Sequence, residues 1–566
     1  MSSTDFLNHF TKLVSAAARR RLDSWGVGDL TEKIKLERPT TQGHGDLSSN
    51  IAMISARAAG MPPRKIAQYL TDDFRSHDEL MGLCHSIELA GPGFINFFLN
   101  DKALSNAVEN AVDMGPDFGA GIIEQPESIL LEYVSANPTG PLHVGHARYA
   151  AFGDSLRRIL TFAGHRVTTE FYINDYGTQM ETFGRSLAAR YAQLLGSDVA
   201  FPAEGYQGNF TVHTAELIKK EIGDKMLDDV VPEPNQAALE FFKKKGCELV
   251  VGEMRGILER FRVDFNHWFS ESTLYENNTV TEALEDLDKA GETETREGAK
   301  WLLTSRYGDD KDRVLIRSTG EPTYFASDIA YHRQKLSRGF DRLINIWGAD
   351  HHGYVPRMKA AFEALSHNPE KLEIIIGQLV NVMEMGERKQ MSKRAGTMVT
   401  LEELLDSIGV DAARFFLVER SNDSTLDLDL EKAKLKSEEN PVYYVQYAHA
   451  RICSILKRAQ EEGLAGSSAH SFARLHDAIQ NQERELIMKL IEFPQVVLNA
   501  AKARGPQRII AYSRELAATF HVFYHNCPVI KASPETAAFR LSLCRLTKNV
   551  IARCLDLVGV MAPESM

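Results

Sequence analysis

The sequence predicts a multidomain α/β chain: a parallel-sheet domain interrupted by an inserted region, with a small α+β module before it and an all-helical bundle after it. Three observations predict this. Apolar runs at 129–131 and 167–173 each lead into a turn rich in Gly, Pro or Asn, as buried strands do where they hand over to ligand-binding loops. From about 197 to 310 the pattern changes to charged helical segments such as ELIKKEIGDKM, and from about 409 it is helical to the end. A chain of 566 residues is also too long for a single core and suits about three or four domains.

The first module, residues 1–110, opens with helical periodicity at Phe6, Phe10, Leu13 and Val14. A glycine-punctuated loop, QGHGDLSSN, leads into an Ala-rich helix, and AGPGFINFFLN closes the module with a turn and a short strand.

The second domain, 111–408, is organised around EYVSANPTGPLHVGHAR at 132–148. His143 and His146 are three apart, so both imidazoles project from one face of a first helical turn, beside its leading N–H groups. A helix N-terminus favours phosphate, and two aimed imidazoles can follow negative charge as it builds on phosphorus. Gly145 leaves room there for a flat base. The second strand, Val167 to Ile173, ends on Asn174-Asp175-Tyr176-Gly177. After the charged insertion at about 197–310, strand-like segments resume at RVLIRS (313–318). EPTYFASDIAYHRQK then puts Tyr324 and Asp328 on one helical face. RLINIWGADHHGY ends a buried strand on Asp350, His351 and His352, and the apolar strand IIIGQLVNVME precedes GERKQMSKRAG, a glycine-containing basic loop suited to polyphosphate.

The third domain, 409–566, contains NPVYYVQYAHAR. Tyr443, Tyr444 and Tyr447 could stack on unpaired bases with Arg451 on phosphate, or serve as core at helical spacing. Net charge is −12, but the segment from Pro441 carries 15 Lys and Arg against 10 Asp and Glu, a net of +5 that leaves −17 upstream. A mildly basic helical tail on an acidic chain suits RNA. Charged content of 25 % and hydrophobic content of 43 % argue against disorder, and no apolar run approaches the ~18 residues of a membrane span. MSSTDFLNHF does not read as a secretory leader. Six cysteines without CxxC spacing suggest neither zinc nor disulfides, so a cytoplasmic protein is expected.

SANPTGPLHVGHAR resembles the first ATP-binding motif of class I aminoacyl-tRNA synthetases, in its arginyl form, and Gln390-Met391-Ser392-Lys393-Arg394 resembles the second, with Gln390 in place of its usual first lysine. GVDAARFFLVER resembles the Asp-Ala-Leu-Arg element of the family's anticodon-binding domain, with Ala413 for leucine. The resemblance spans essentially the whole chain. It implies a Rossmann-like catalytic domain, an N-terminal module that touches the outer corner of tRNA, and a helical anticodon-binding domain. The implied reaction is arginine activation by ATP, with Mg²⁺ held by phosphate and water, then transfer to the terminal adenosine of tRNA(Arg). His143, His146 and Lys393 would be the catalytic clamps. Pro138, Thr139, Gly140, Gly145, Met391 and Ser392 would join them around ATP. Glu132, Ser135 and Asn137 would lie beside the backbone groups of arginine, and Tyr324 and Asp328 at its guanidinium. Tyr443, Tyr447 and Arg451 are the candidates for tRNA contact. Where part of the family has glutamine, this chain has His351. A monomer is expected, and so is a nucleotide-binding core complete upstream of about residue 435. A synthetase for another amino acid, or a tRNA-binding paralogue without catalysis, would share parts of this pattern.

Overall fold

The computed structural model describes residues 5–30, 33–39, 43–389, 398–464 and 478–566. The N-terminal module is a four-stranded antiparallel sheet in the order Leu36–Glu37, Leu47–Ser49, Phe94–Leu99, Cys84–Ala90. Its helices Phe6–Ser24 and Pro63–Arg75 bury Phe10 and Phe74 against Phe97.

The central sheet is parallel and five-stranded. In chain order its strands are β1 (Ser128–Glu132), β2 (Arg166–Ile173), β3 (His267–Ser270), β4 (Arg342–Gly348) and β5 (Leu372–Gly377), and its spatial order is β5-β4-β1-β2-β3. The order reverses direction at β1, so the crevice at the carboxyl ends of β1 and β4 is where a ligand binds in such sheets. Helix α1 (Val144–Ala163) follows β1 and packs on one face; helix α2 (Tyr324–Ser337) packs on the other, over a second apolar cluster.

The structure corrects several sequence expectations. The insertion at about 197–310 is not all helix: His267–Ser270 lies inside it yet joins the parallel sheet as β3 beside β2. RVLIRS does not resume that sheet. Arg313–Ile316 instead pairs antiparallel with Ala299–Leu302, which forms a hairpin with Thr293–Arg296. Glu297 and Gly298, both at positive φ, form the two-residue turn that suits strand twist in that hairpin, and Arg313–Ile316 adds to the hairpin's edge. IIIGQLVNVME is two strands, not one. It breaks at Gln378-Leu379, whose carbonyls accept from the buried Arg148 of α1, and Val380–Glu384 then pairs with Leu426–Asp429.

The helix expected from about 409 begins earlier, as α3 (Leu401–Val418), capped by Thr400 and kinked at Gly409, whose φ of 76° no side chain adopts easily. Beyond it lie α4 (Pro441–Glu461), Asn481–Ile491, Phe493–Lys502, Gln507–Asn526 and α5 (Pro534–Leu557), packed as a bundle. The core is not complete upstream of 435. Phe493 of the bundle packs against Phe118 and Phe162 of the central domain, and the largest apolar cluster runs through all three regions. No helix among the described residues is long and apolar enough to cross a membrane.

Candidate active site

The turn after β1 passes through Val134 and Ser135, both at positive φ, before α1 begins. His143 is the N-cap of α1. Gly145 N–H donates to His143 Nδ1 at 3.1 Å, and His143 N–H donates to His146 Nδ1 at 3.2 Å. Both Nδ1 atoms act as acceptors, so the proton of each neutral ring sits on Nε2. The rings stack with centroids 3.8 Å apart. A Cβ on Gly145 would meet His143 Cε1 at 2.9 Å, so this glycine makes room for the histidine ring and not only for a ligand. The residues after the basic loop close on this turn: Val144 N–H donates to Val399 O and Leu401 N–H to Leu142 O.

A cleft of about 1520 Å³ opens here. It brings together Glu132, Ser135, Asn137, Thr139, Gly140, His143, Gly145, His146 and Asp328, with His351 at its rim. Pro138 is buried behind the turn and does not line it. Tyr324 is 59 % exposed and faces a neighbouring cleft of about 1100 Å³, between the 174–178 turn and the helix Gln236–Arg260. Lys389 and Met398 line the main cleft, while Gln390, Met391, Ser392, Lys393 and Arg394 lie outside the described residues.

Asp328 accepts from Tyr354 Oη at 2.5 Å, and burial pushes its carboxyl up to about 6. Glu271, just past β3, was missed by sequence reasoning. It is 2 % exposed, and its Oε2 has no hydrogen-bond partner among the described residues. Burial, with Asp328 and Asp175 nearby, pushes it up to about 8. Recognising HWFS as a strand would have placed Glu271 at a carboxyl end. Asp175 is committed to structure, accepting from Ser270 Oγ at 2.6 Å and Ser272 N–H at 3.0 Å.

Under α2 lies a polar row. Asn345, Glu132 and Glu170 are register partners on β4, β1 and β2, so their side chains share one face. Helix α2 meets them with His332, Lys335 and Tyr331, and Arg338 follows just beyond it: Lys335 Nζ donates to Glu132 Oε2 and to Asn345 Oδ1, Tyr331 Oη donates to Glu170, and Arg338 pairs with Glu170 at 2.6 Å. Burial opposes charge on Glu170, but Arg338, Lys335 and Tyr331 together outweigh it and hold the carboxyl below its usual range.

In the bundle, Tyr444, Arg451, His521, Tyr524 and Lys531 line a hollow of about 630 Å³. Arg451 lies over the rings of Tyr447 and Tyr524 at 5.3 and 5.5 Å. Tyr443 is half-buried on α4 and does not line the hollow.

Residues 8–99 match the arginyl-tRNA synthetase N-terminal domain, 119–453 the catalytic domain of class I tRNA synthetases for arginine, and 445–566 the DALR anticodon-binding domain. An arginine–tRNA ligase of Geobacillus thermodenitrificans is 45 % identical over 94 % of this chain and 94 % of its own length. The chain belongs to the arginyl-tRNA synthetase family. As a class I synthetase it is a ligase. The ligase of Oceanobacillus iheyensis is 42 % identical over 95 % of both chains. Thermus thermophilus arginyl-tRNA synthetase shares the synthetase's fold, with a TM-score of 0.77 over 98 % of this chain and 99 % of that one at 23 % identity. The anticodon-binding match starts after the Asp411–Arg414 element, which lies inside the catalytic match.

Proposed function

We propose that the main cleft activates L-arginine with ATP and transfers it to tRNA(Arg). The observation that carries this reading is the pairing, in one cleft, of the two imidazoles at the start of α1 with the half-buried carboxyl of Asp328 on α2, beside which lies the buried Glu271. The substrate's two charged ends ask for such an arrangement. A guanidinium presents five donors in a fixed fork, which Asp328 answers from the cleft wall with the buried Glu271 next to it; Tyr324 is read at the same end, reaching it from the neighbouring cleft. Glu132, Ser135 and Asn137 take the α-amino and carboxylate end.

In the first step the arginine carboxylate attacks the α-phosphorus of ATP in line, the bond to the bridging oxygen breaks, and pyrophosphate leaves. No enzyme nucleophile is needed, so alignment and charge neutralisation carry the step. The Nε2–H groups of His143 and His146 donate to phosphate oxygens as their charge grows, and Lys393 does the same from the basic loop. Thr139 and Gly140 are read beside the nucleotide next to Gly145, with Pro138 backing the turn, and the family resemblance adds Met391 and Ser392. Mg²⁺ arrives with ATP, held by phosphate and water. In the second step a hydroxyl of the terminal ribose attacks the mixed anhydride and AMP leaves.

We read the bundle hollow as an RNA contact in which Tyr447 and Arg451, joined by Tyr444 and Tyr524, receive unpaired bases, with Tyr443 beside them. The chain is read as a cytoplasmic monomer. Burial pushes the thiols of Cys84 and Cys544 up to about 12, which suits reduced, inert cysteines. Pyrophosphate exchange tests the whole reading: with tRNA present, arginine alone among the amino acids should support exchange, and exchange driven by any other amino acid would overturn the assignment.

A further inference from the structure

We propose that Lys335 is a positioning residue for the α-ammonium group of the substrate, acting through Glu132 and tying the two ends of the arginine pocket together. The inference rests on the reading of Glu132 given above.

Lys335 is fully buried and does not line the cleft, so it does not touch substrate. Its ammonium group is nonetheless fully engaged: it donates to Glu132 Oε2, donates to Asn345 Oδ1 at 3.1 Å, and lies 4.2 Å from the ring centroid of Tyr331. Glu132, in turn, lines the cleft, and its other oxygen accepts from Ser135 Oγ at 2.8 Å. Each oxygen of the carboxylate is thus fixed by one protein donor and keeps a further acceptor site. That leaves Glu132 aimed and able to receive an ammonium group.

The network has one possible direction. Asn345 Nδ2 donates to His332 Nε2 at 2.7 Å, so its oxygen faces Lys335, and His332 Nδ1–H donates to the carbonyl of Asp328 at 2.7 Å. Burial holds His332 neutral, pushing it down to about 3, so it can both accept and donate. A continuous chain of hydrogen bonds therefore runs from Glu132, at the amino end of the substrate, to the backbone of Asp328, at its guanidinium end. A buried ion pair is seldom more stabilising than well-packed apolar side chains. Its placement in the wall between the two recognition points assigns it to orientation.

Two competitive inhibitors of arginylation separate the ends. Agmatine keeps the amine and guanidinium and lacks the carboxylate; 5-guanidinopentanoate keeps the carboxylate and guanidinium and lacks the amine. In Lys335→Met, agmatine should weaken about tenfold or more while 5-guanidinopentanoate changes less than about twofold, the size of an ordinary coupling between linked groups. Glu132→Gln should give the same pattern, and Glu132→Gln/Lys335→Met should weaken agmatine no further than Glu132→Gln alone. Equal weakening of both probes by Lys335→Met would overturn the inference. If Glu132→Gln moves the ratio of the two constants and Lys335→Met does not, only the role of Lys335 fails. If Glu132→Gln leaves the ratio unchanged, the reading of Glu132 fails and takes the inference with it. Should Lys335→Met not fold, the neutral pair decides: the ratio seen in Glu132→Gln supports the inference, and a further shift overturns it.

Discussion

With Asp328 and Glu271 at the guanidinium end, as proposed, arginine binding should depend on pH. Burial raises both carboxyls, to about 6 and about 8, so below pH 6 the empty pocket holds protons that a guanidinium must displace. Arginine affinity should therefore rise as pH increases from 6 to 8, and Glu271→Gln should flatten the upper part of that rise in a calorimetric titration. The sign for stability is opposite. Folded values above the ordinary carboxylate range mean that the native state keeps protons the unfolded chain has lost, so without ligand the carboxyls' contribution to stability falls as pH rises through about 4 to 8. Saturating arginine should accordingly raise the melting temperature more at pH 8 than at pH 6. A second expectation concerns charge. Asp328→Asn keeps the shape and removes the carboxylate, so it should cost arginine about 2–4 kcal/mol of transition-state binding, as breaking a charge pair in such a site does. Citrulline, nearly isosteric and uncharged, should lose much less, and kcat/KM for the two substrates with tRNA present measures the difference. The sequence put Asp328 four residues from Tyr324 on one helix, while its place at the guanidinium came from the family resemblance alone. Glu271 was not legible, since nothing local marks an acid whose pocket is assembled by β3 and α2 from residues more than fifty positions apart.

Helix α1 ties catalysis to helix capping. His143 and His146 each spend Nδ1 on a backbone N–H of the first turn, so either ring can turn only by giving up a cap. Alanine at either position should reduce turnover ~10²-fold or more while ATP affinity changes little, because the donors act on charge that develops during the reaction. Gly145→Ala should also lower turnover, since the added methyl falls 2.9 Å from His143 Cε1 and displaces the ring. Single-turnover exchange with each variant checks both. The motif at this turn could be read because strand, turn and helix follow one another in sequence. Its capping geometry could not, because it depends on rotamers that spacing leaves open. For the same reason the break at Gln378-Leu379 escaped notice: an apolar run says nothing of the Arg148 guanidinium that parts it.

At the scale of the whole molecule, Arg414 locks the central domain, its insertion and the C-terminal bundle together. It is fully buried, pairs with Asp154 of α1 at 2.6 Å, and donates to the carbonyls of Val558, Phe261 and Arg262. Burial opposes charge on Asp154, yet Arg414, Arg158 and Arg157 together hold its carboxyl below the usual range. Arg414→Leu should destabilise the chain by about 3–5 kcal/mol, the cost of breaking a buried charge pair and taking the donor from the carbonyls of Val558 and Phe261, and urea denaturation reads it directly. The N-terminal module is held to the bundle in similar fashion, with Arg484 bridging Asp46 at 2.8 Å and Asp101 at 2.6 Å. A chain ended near residue 435 loses Val558 and Phe493 from this assembly. It should therefore unfold at lower denaturant than the full chain and with a broader transition, which circular dichroism would show. The division into three regions was legible from changes of periodicity and charge. Their mutual dependence was not, because Asp154, Arg414 and Val558 read as ordinary helix residues until the fold puts them in contact.

The register of Asn345, Glu132 and Glu170 also limits how this protein can change length. Side chains alternate between sheet faces with a period of two, so one residue gained or lost within β1, β2 or β4 turns that strand's polar residue away from α2 and buries an apolar one in its place. Single-residue insertions between 128 and 132, 166 and 170, or 342 and 345 should thus be rejected in a length-scanning library. Pairs inserted in the hairpin turn at Glu297-Gly298, far from the row, should be accepted.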